Sequence, residues 1–118
     1  MNRTYQGGCH CGKVRFEINS EVKAASQCNC SICTKKGTLN HRVLAEHFRI
    51  LAGEEELALY QFGTGTAKHW FCRNCGIHPF SNPRLAPEQY SINIRCLDDF
   101  PKLFPQIEIN YFDGQNWE

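Results

Sequence analysis

Three tight knots of cysteine constrain this chain more than any other feature: "CHC" at Cys9 and Cys11, "CNCSIC" at Cys28, Cys30 and Cys33, and "CRNC" at Cys72 and Cys75. With Cys96 they make eight cysteines in 118 residues. Disulfides and metal are the two usual reasons for such a density. The N-terminus "MNRTYQGG" lacks the apolar stretch of a signal peptide, so a cytoplasmic location is expected, where thiols stay reduced. Spacing points the same way. Cysteines two or three residues apart on a turn can grip one ion together, whereas a disulfide framework spreads its cysteines. Zinc is the expected metal, with iron–sulfur ligation the runner-up.

The length fits a single domain over residues 1–118 with a modest core. A hydrophobic content of 42% supports a globular fold, and a formal charge of +1 gives no footprint for nucleic acid or an anionic membrane. No apolar run is long enough to span a bilayer. Nothing in the composition bears on the oligomeric state. Short segments rich in aromatic and branched residues alternate with turn signals, which predicts a mainly β domain. "KVRFEI" from Lys13, "FRIL" from Phe48, "LALYQF" from Leu57, "KHWF" from Lys68, "YSINI" from Tyr90 and "QIEINYF" from Gln106 read as strands. "GG" at Gly7, "FGTGT", "NPRLAP" and "FDG" read as turns. Only "LAEHF" and "PEQY" suggest single helical turns, too short to be stable alone. Metal cross-links would supply stability that so small a core lacks.

The cysteines permit two partitions. Cys9 and Cys11 can join Cys72 and Cys75, leaving Cys28, Cys30 and Cys33. Alternatively Cys30 and Cys33 pair with Cys72 and Cys75 as in a zinc ribbon, leaving Cys9, Cys11 and Cys28. Spacing does not decide between them, and both leave three cysteines over. Three thiolates on zinc give a net charge of −1 and a fourth position to fill, and an open position is what separates catalytic from structural zinc. Such an ion is a weak Lewis acid beside a three-histidine site and suits a soft incoming thiol, which it stabilises as thiolate. A thiol-activating site is the sharper expectation.

Cys96 has three readings: a buried inert thiol, a group beside the open site, or a fourth ligand. His10, between two candidate ligands, is expected at the surface. His69 and His78 flank "CRNC" and are expected to hydrogen-bond near the thiolates, with proton donation as an alternative. Phe62, Trp70, Phe71 and Phe80 are expected in the core. Gly12, Gly37 and Gly76, which follow the clusters, are expected at positive φ with amides turned toward the sulfurs.

"GGCHCGKVRFE", "CNCSICTKKG", "YQFGTGTAKHWFCRNCGIHPF" and "NIRCLDD", in this order, resemble the glutathione-dependent formaldehyde-activating enzyme family, whose domain centromere protein V shares. The resemblance runs from about Gly7 to Asp98 and implies a zinc-stapled β-tent of stacked antiparallel sheets. It implies two zinc ions per chain: a structural one on Cys9, Cys11, Cys72 and Cys75, and a catalytic one on Cys28, Cys30 and Cys33. It implies a carbon–sulfur lyase activity, run as the condensation of formaldehyde with glutathione to S-hydroxymethylglutathione. Glutathione carries two carboxylates, so cations are expected near the catalytic zinc, with Lys35, Lys36 and above all Arg95 as candidates. The competing function is a non-catalytic zinc module that binds protein or nucleic acid. Near-neutral charge makes nucleic acid the weaker partner.

Overall fold

The structure is a computed structural model that describes residues 2–84 and 86–114. Along the chain run β1 (Arg3–Gly8), β2 (Arg15–Ser20), β3 (Ala24–Cys28), α1 (Ser31–Lys36), β4 (Asn40–Leu44), β5 (Phe48–Ala52), β6 (Leu57–Tyr60), β7 (Lys68–Cys72), β8 (Phe80–Asn82), β9 (Gln89–Asn93), α2 (Phe100–Leu103) and β10 (Glu108–Phe112). The protein is mainly β. Two sheets carry it: a three-stranded one in the order β1-β2-β5 and a seven-stranded one in the order β10-β3-β4-β9-β8-β7-β6. Pairing is antiparallel except between β10 and β3, which run parallel. Among the described residues no helix is long and apolar enough to cross a membrane.

The "KVRFEI" alternation reappears as burial. Val14, Phe16 and Ile18 are fully buried while Arg15 and Glu17 face outward. Phe16 meets Phe80 of the larger sheet edge-on at 5.8 Å between ring centroids, and Phe48 stacks on Tyr90 at 4.1 Å. Ile92 and Ile94 complete the seam between the sheets. The "GG" pair, expected as a turn, instead ends β1. Gly7 bridges to Leu97, and a Cβ there would stand 2.5 Å from the carbonyl oxygen of Cys96. The missing side chain lets β1 close onto the segment that follows β9. Arg15 adds a two-pronged ion pair to Asp98 at 3.1 and 2.5 Å.

Other expectations changed in detail. "LAEHF" contains a single 3-10 turn, Ala45–His47, as its composition suggested. "PEQY" does not form a helical turn: its Gln89 and Tyr90 begin β9, because β4 offers them ladder partners in Leu44 and Val43. Phe80 lies in the core and Trp70 packs against it, its indole N–H donating to Asn82 Oδ1 at 2.9 Å. Phe62 does not join them. It is exposed, stacked between Tyr60 and His69.

Candidate metal centre

The cysteines converge in two groups. Sulfurs of Cys9, Cys11, Cys72 and Cys75 all lie within 4.8 Å of one another, and so do those of Cys28, Cys30 and Cys33. Among the described residues no other histidine, cysteine or acid joins the second group. The first group draws on both sheets, with Cys9 and Cys11 from the β1–β2 turn and Cys72 and Cys75 from the β7–β8 turn. Its Sγ–Sγ distances include 3.5 Å for Cys9 with Cys11 and 3.7 Å for Cys11 with Cys72. Zinc–sulfur bonds of ~2.3 Å in a tetrahedron require sulfurs ~3.8 Å apart, so the spacing and the soft all-sulfur donor set both fit zinc.

The second group is local. Cys28 ends β3, Cys30 caps the N-terminus of α1, and Cys33 lies within that helix. Six residues are too few for an isolated helix, and α1 buries no side chain. Its ends hold it: the Cys33 amide donates to Cys30 Sγ at 3.4 Å, and Gly37, left-handed at φ 68°, donates to the Cys33 carbonyl at 2.9 Å. Gly12 and Gly76 also have positive φ, as expected; their own amides close turns onto the carbonyls of Cys9 and Cys72, and the next amides, of Lys13 and Ile77, reach the sulfurs of Cys11 and Cys75.

Each of the three local sulfurs accepts a donor. Cys30 N–H reaches Cys28 Sγ at 3.4 Å, the Cys33 amide reaches Cys30 Sγ, and Asn40 Nδ2 reaches Cys33 Sγ at 4.0 Å. Burial pushes the Cys33 thiol up to about 12 and also raises Cys28. Cys30 is held down, because amide and neighbouring thiol hydrogen bonds overcome its burial. At the other group Cys11 is exposed and brought down to about 6, first by the Asn74 side chain and then by the Lys13 amide.

Of the expected cations, the structure turns Lys36 toward the sulfurs. Its ammonium donates to His69 Nδ1 at 3.3 Å, and Cys33, Cys30 and Cys28 oppose the downward push of its burial. Cys33 and Lys36 are three residues apart and share a helix face, a spacing that would have singled Lys36 out. Lys35 is exposed on another face. The Arg95 guanidinium lies 5.4 Å over the Phe100 ring, on the short turn that follows β9. His69 and His78 gather around Lys36 rather than around Cys72 and Cys75. Burial, with Lys36 nearby, brings both imidazoles down to about 4. His10 is exposed. Cys96 is pushed up to about 12 by burial and by Cys9 and Cys75, and it accepts from Asn93 Nδ2 at 3.5 Å. Its electrostatic neighbours are the four-sulfur group, so it fits the inert reading.

Sequence reasoning read the C-terminal strand in "QIEINYF" but not its place beside the three sulfurs. A cleft of about 300 Å³ opens onto Cys28 and Cys33, walled by the end of β3, the C-terminal end of α1 and residues 111–113. Gly114 is buried against the sulfurs, and a Cβ there would stand 2.6 Å from Cys28 Sγ. The only sign in the sequence was "FDG", legible as a turn and nothing more.

The sequence model of the glutathione-dependent formaldehyde-activating enzymes matches residues 4–113. A crystal structure of a Rhodobacter sphaeroides protein, a structural-genomics target, has the same fold. It aligns with a TM-score of 0.78 at 38% identity, covering 89% of this chain and 99% of that one.

Proposed function

Because the chain belongs to the glutathione-dependent formaldehyde-activating enzyme family, we propose that it is a zinc-dependent enzyme of the carbon–sulfur lyase type. In this reading it joins a thiol such as glutathione to a small aldehyde, giving an S-hydroxymethyl adduct when the aldehyde is formaldehyde. The observation that carries the reading is a contrast. Four sulfurs converge in one group and three in the other, and the group of three lines a cleft.

Cys9, Cys11, Cys72 and Cys75 would hold one zinc and Cys28, Cys30 and Cys33 a second, two per chain. Held by three thiolates, zinc supplies a centre that favours an incoming thiol as thiolate, the nucleophilic form. The rest falls to the chain. Amides of Cys30 and Cys33 fix the sulfur positions, and the Asn40 side chain steadies Cys33. Lys36 places a positive charge beside three anionic sulfurs. In the reaction a carbon–sulfur bond forms, the carbonyl π bond opens, and the proton lost by the thiol ends on the aldehyde oxygen. Lys36 and His69 are the proton-bearing pair beside the sulfurs. An ammonium only donates, so His69 accepts at Nδ1 and carries its own proton on Nε2. Burial lowers Lys36 against the opposing pull of the cysteine sulfurs, and burial with Lys36 nearby brings both histidines down to about 4.

The test is adduct exchange followed by NMR with zinc-loaded protein, glutathione and formaldehyde. Acceleration over the uncatalysed reaction is expected. Its absence across several thiols and aldehydes would remove the reading.

A further inference from the structure

β4, β9, β8 and β7 lie side by side in the larger sheet, and their pairing aligns one row of residues across it. Arg42 pairs with Ser91, Ser91 with Ser81, and Ser81 with His69. Paired residues share a face. This face is the one away from the smaller sheet, because the alternate row of Ile92, Phe80 and Trp70 builds the core. The row meets the three-sulfur group at two points. His69 accepts from Lys36, and Asn40, on the same face of β4 as Arg42, reaches Cys33 Sγ. Two residues of strand carry Arg42 roughly 7 Å beyond Asn40.

The fold leaves the polar groups of this row unused. Ser81 and Ser91 are each 9% exposed, and neither hydroxyl makes a hydrogen bond among the described residues. Buried polar groups are normally paired, so two such hydroxyls side by side call for a partner. Arg15, Arg49 and Arg95 are taken up by Asp98, Glu17 and the Phe100 ring. Arg42 is exposed and makes no side-chain hydrogen bond, ion pair or ring contact among the described residues. Two serines between Arg42 and His69 leave a trough about 14 Å long, three strand spacings. Its groups are donors, and a guanidinium fork with hydroxyls beside it matches a carboxylate. Lys36 already faces the sulfurs, which leaves Arg42 for a group farther out on the same ligand. We propose that this row is a carboxylate subsite, in which Arg42 binds the carboxylate of an incoming thiol and Ser91 and Ser81 donate to the same ligand. The proposal rests on the thiol-binding role argued above and adds the residues that select its substrate: thiols with a carboxylate several bonds from sulfur.

Calorimetric titration of the zinc-loaded protein with glutathione and with its diethyl ester tests it, since the two share the sulfur and backbone but not the carboxylates. Glutathione should bind at least tenfold more tightly than the diester. Arg42→Gln should cost about tenfold on glutathione, as expected for one charge-assisted hydrogen bond, and less than ~2-fold on the diester. Ser91→Ala should cost glutathione about threefold, since a neutral hydroxyl contributes less, and it carries the test if the arginine variant fails to fold. No binding of glutathione, equal affinity of the parent protein for both ligands, or equal losses on both in a folded variant would overturn the proposal. Arg42-dependent binding of glutathione without accelerated adduct exchange would remove the proposed reaction and leave the subsite standing. Accelerated exchange with glutathione that Arg42→Gln leaves unchanged in kcat and KM would do the reverse.

Discussion

Lys35 and Lys36 are neighbours in sequence with opposite surroundings. Lys35 is exposed, whereas Lys36 is drawn in beside His69 and three cysteine sulfurs. Removing a preorganised charge beside a reacting centre costs about 10²-fold in turnover. Lys36→Met should therefore lower kcat by about that factor, and Lys35→Met should change it less than ~2-fold, since surface charges couple weakly. Steady-state rates with the two variants decide it. His69 and His78 give a second residue-scale outcome. In the unfolded chain an imidazole takes its proton near 6.5, and in the fold these two do so at about 4. Between those values the unfolded state binds more protons. Their contribution to stability is thus complete above pH 6.5 and is lost as the pH falls toward 4. Imidazole resonances followed by NMR should give both midpoints near 4, and midpoints near 6.5 would contradict the burial assigned to them. The lysine choice was open to sequence logic, through the three-residue spacing from Cys33. The histidines were not, because their approach to Lys36 depends on β7 lying across from α1.

At the scale of elements, six strands were legible as aromatic or branched runs, and four were not. β1, β3, β4 and β8 read "RTYQGG", "AASQC", "NHRVL" and "FSN", mostly small or polar residues of low strand preference. They are strands because neighbours supply their ladders: β3 lies between β10 and β4, and β8 between β7 and β9. Such pairing is a property of the whole sheet. The parallel β3–β10 pair matters most, since it delivers the C-terminal segment to the three sulfurs. Gly114→Val would drive a side chain into Cys28 Sγ and lift that segment. Zinc transfer to a chromophoric chelator should then show one of two equivalents leaving faster than in the parent protein, at a nearly unchanged melting temperature. Unaltered release would show that the segment does not help to hold the site together.

Across the whole molecule the two sulfur groups close very different loops. Cys11 and Cys72 are 61 residues apart and join two sheets. Cys28, Cys30 and Cys33 lie within one strand end and one helical turn. A cross-link between distant segments removes far more freedom from the unfolded chain than a local one. The fold should therefore depend on the first group, while the second can serve chemistry. Both groups were visible as cysteine runs; spacing left their partition open, because it depends on which hairpins of the two sheets meet, and only the family resemblance pointed to the grouping found. Cys72→Ser should leave a chain without a cooperative melt, read by circular dichroism. The most direct trial of the account is Cys30→Ser, assayed for adduct exchange between formaldehyde and a thiol, with the melt and zinc content measured on the same sample. The account predicts a folded protein that keeps one zinc and loses its acceleration of exchange. Acceleration equal to that of the parent protein, from a sample holding a single zinc, would contradict it.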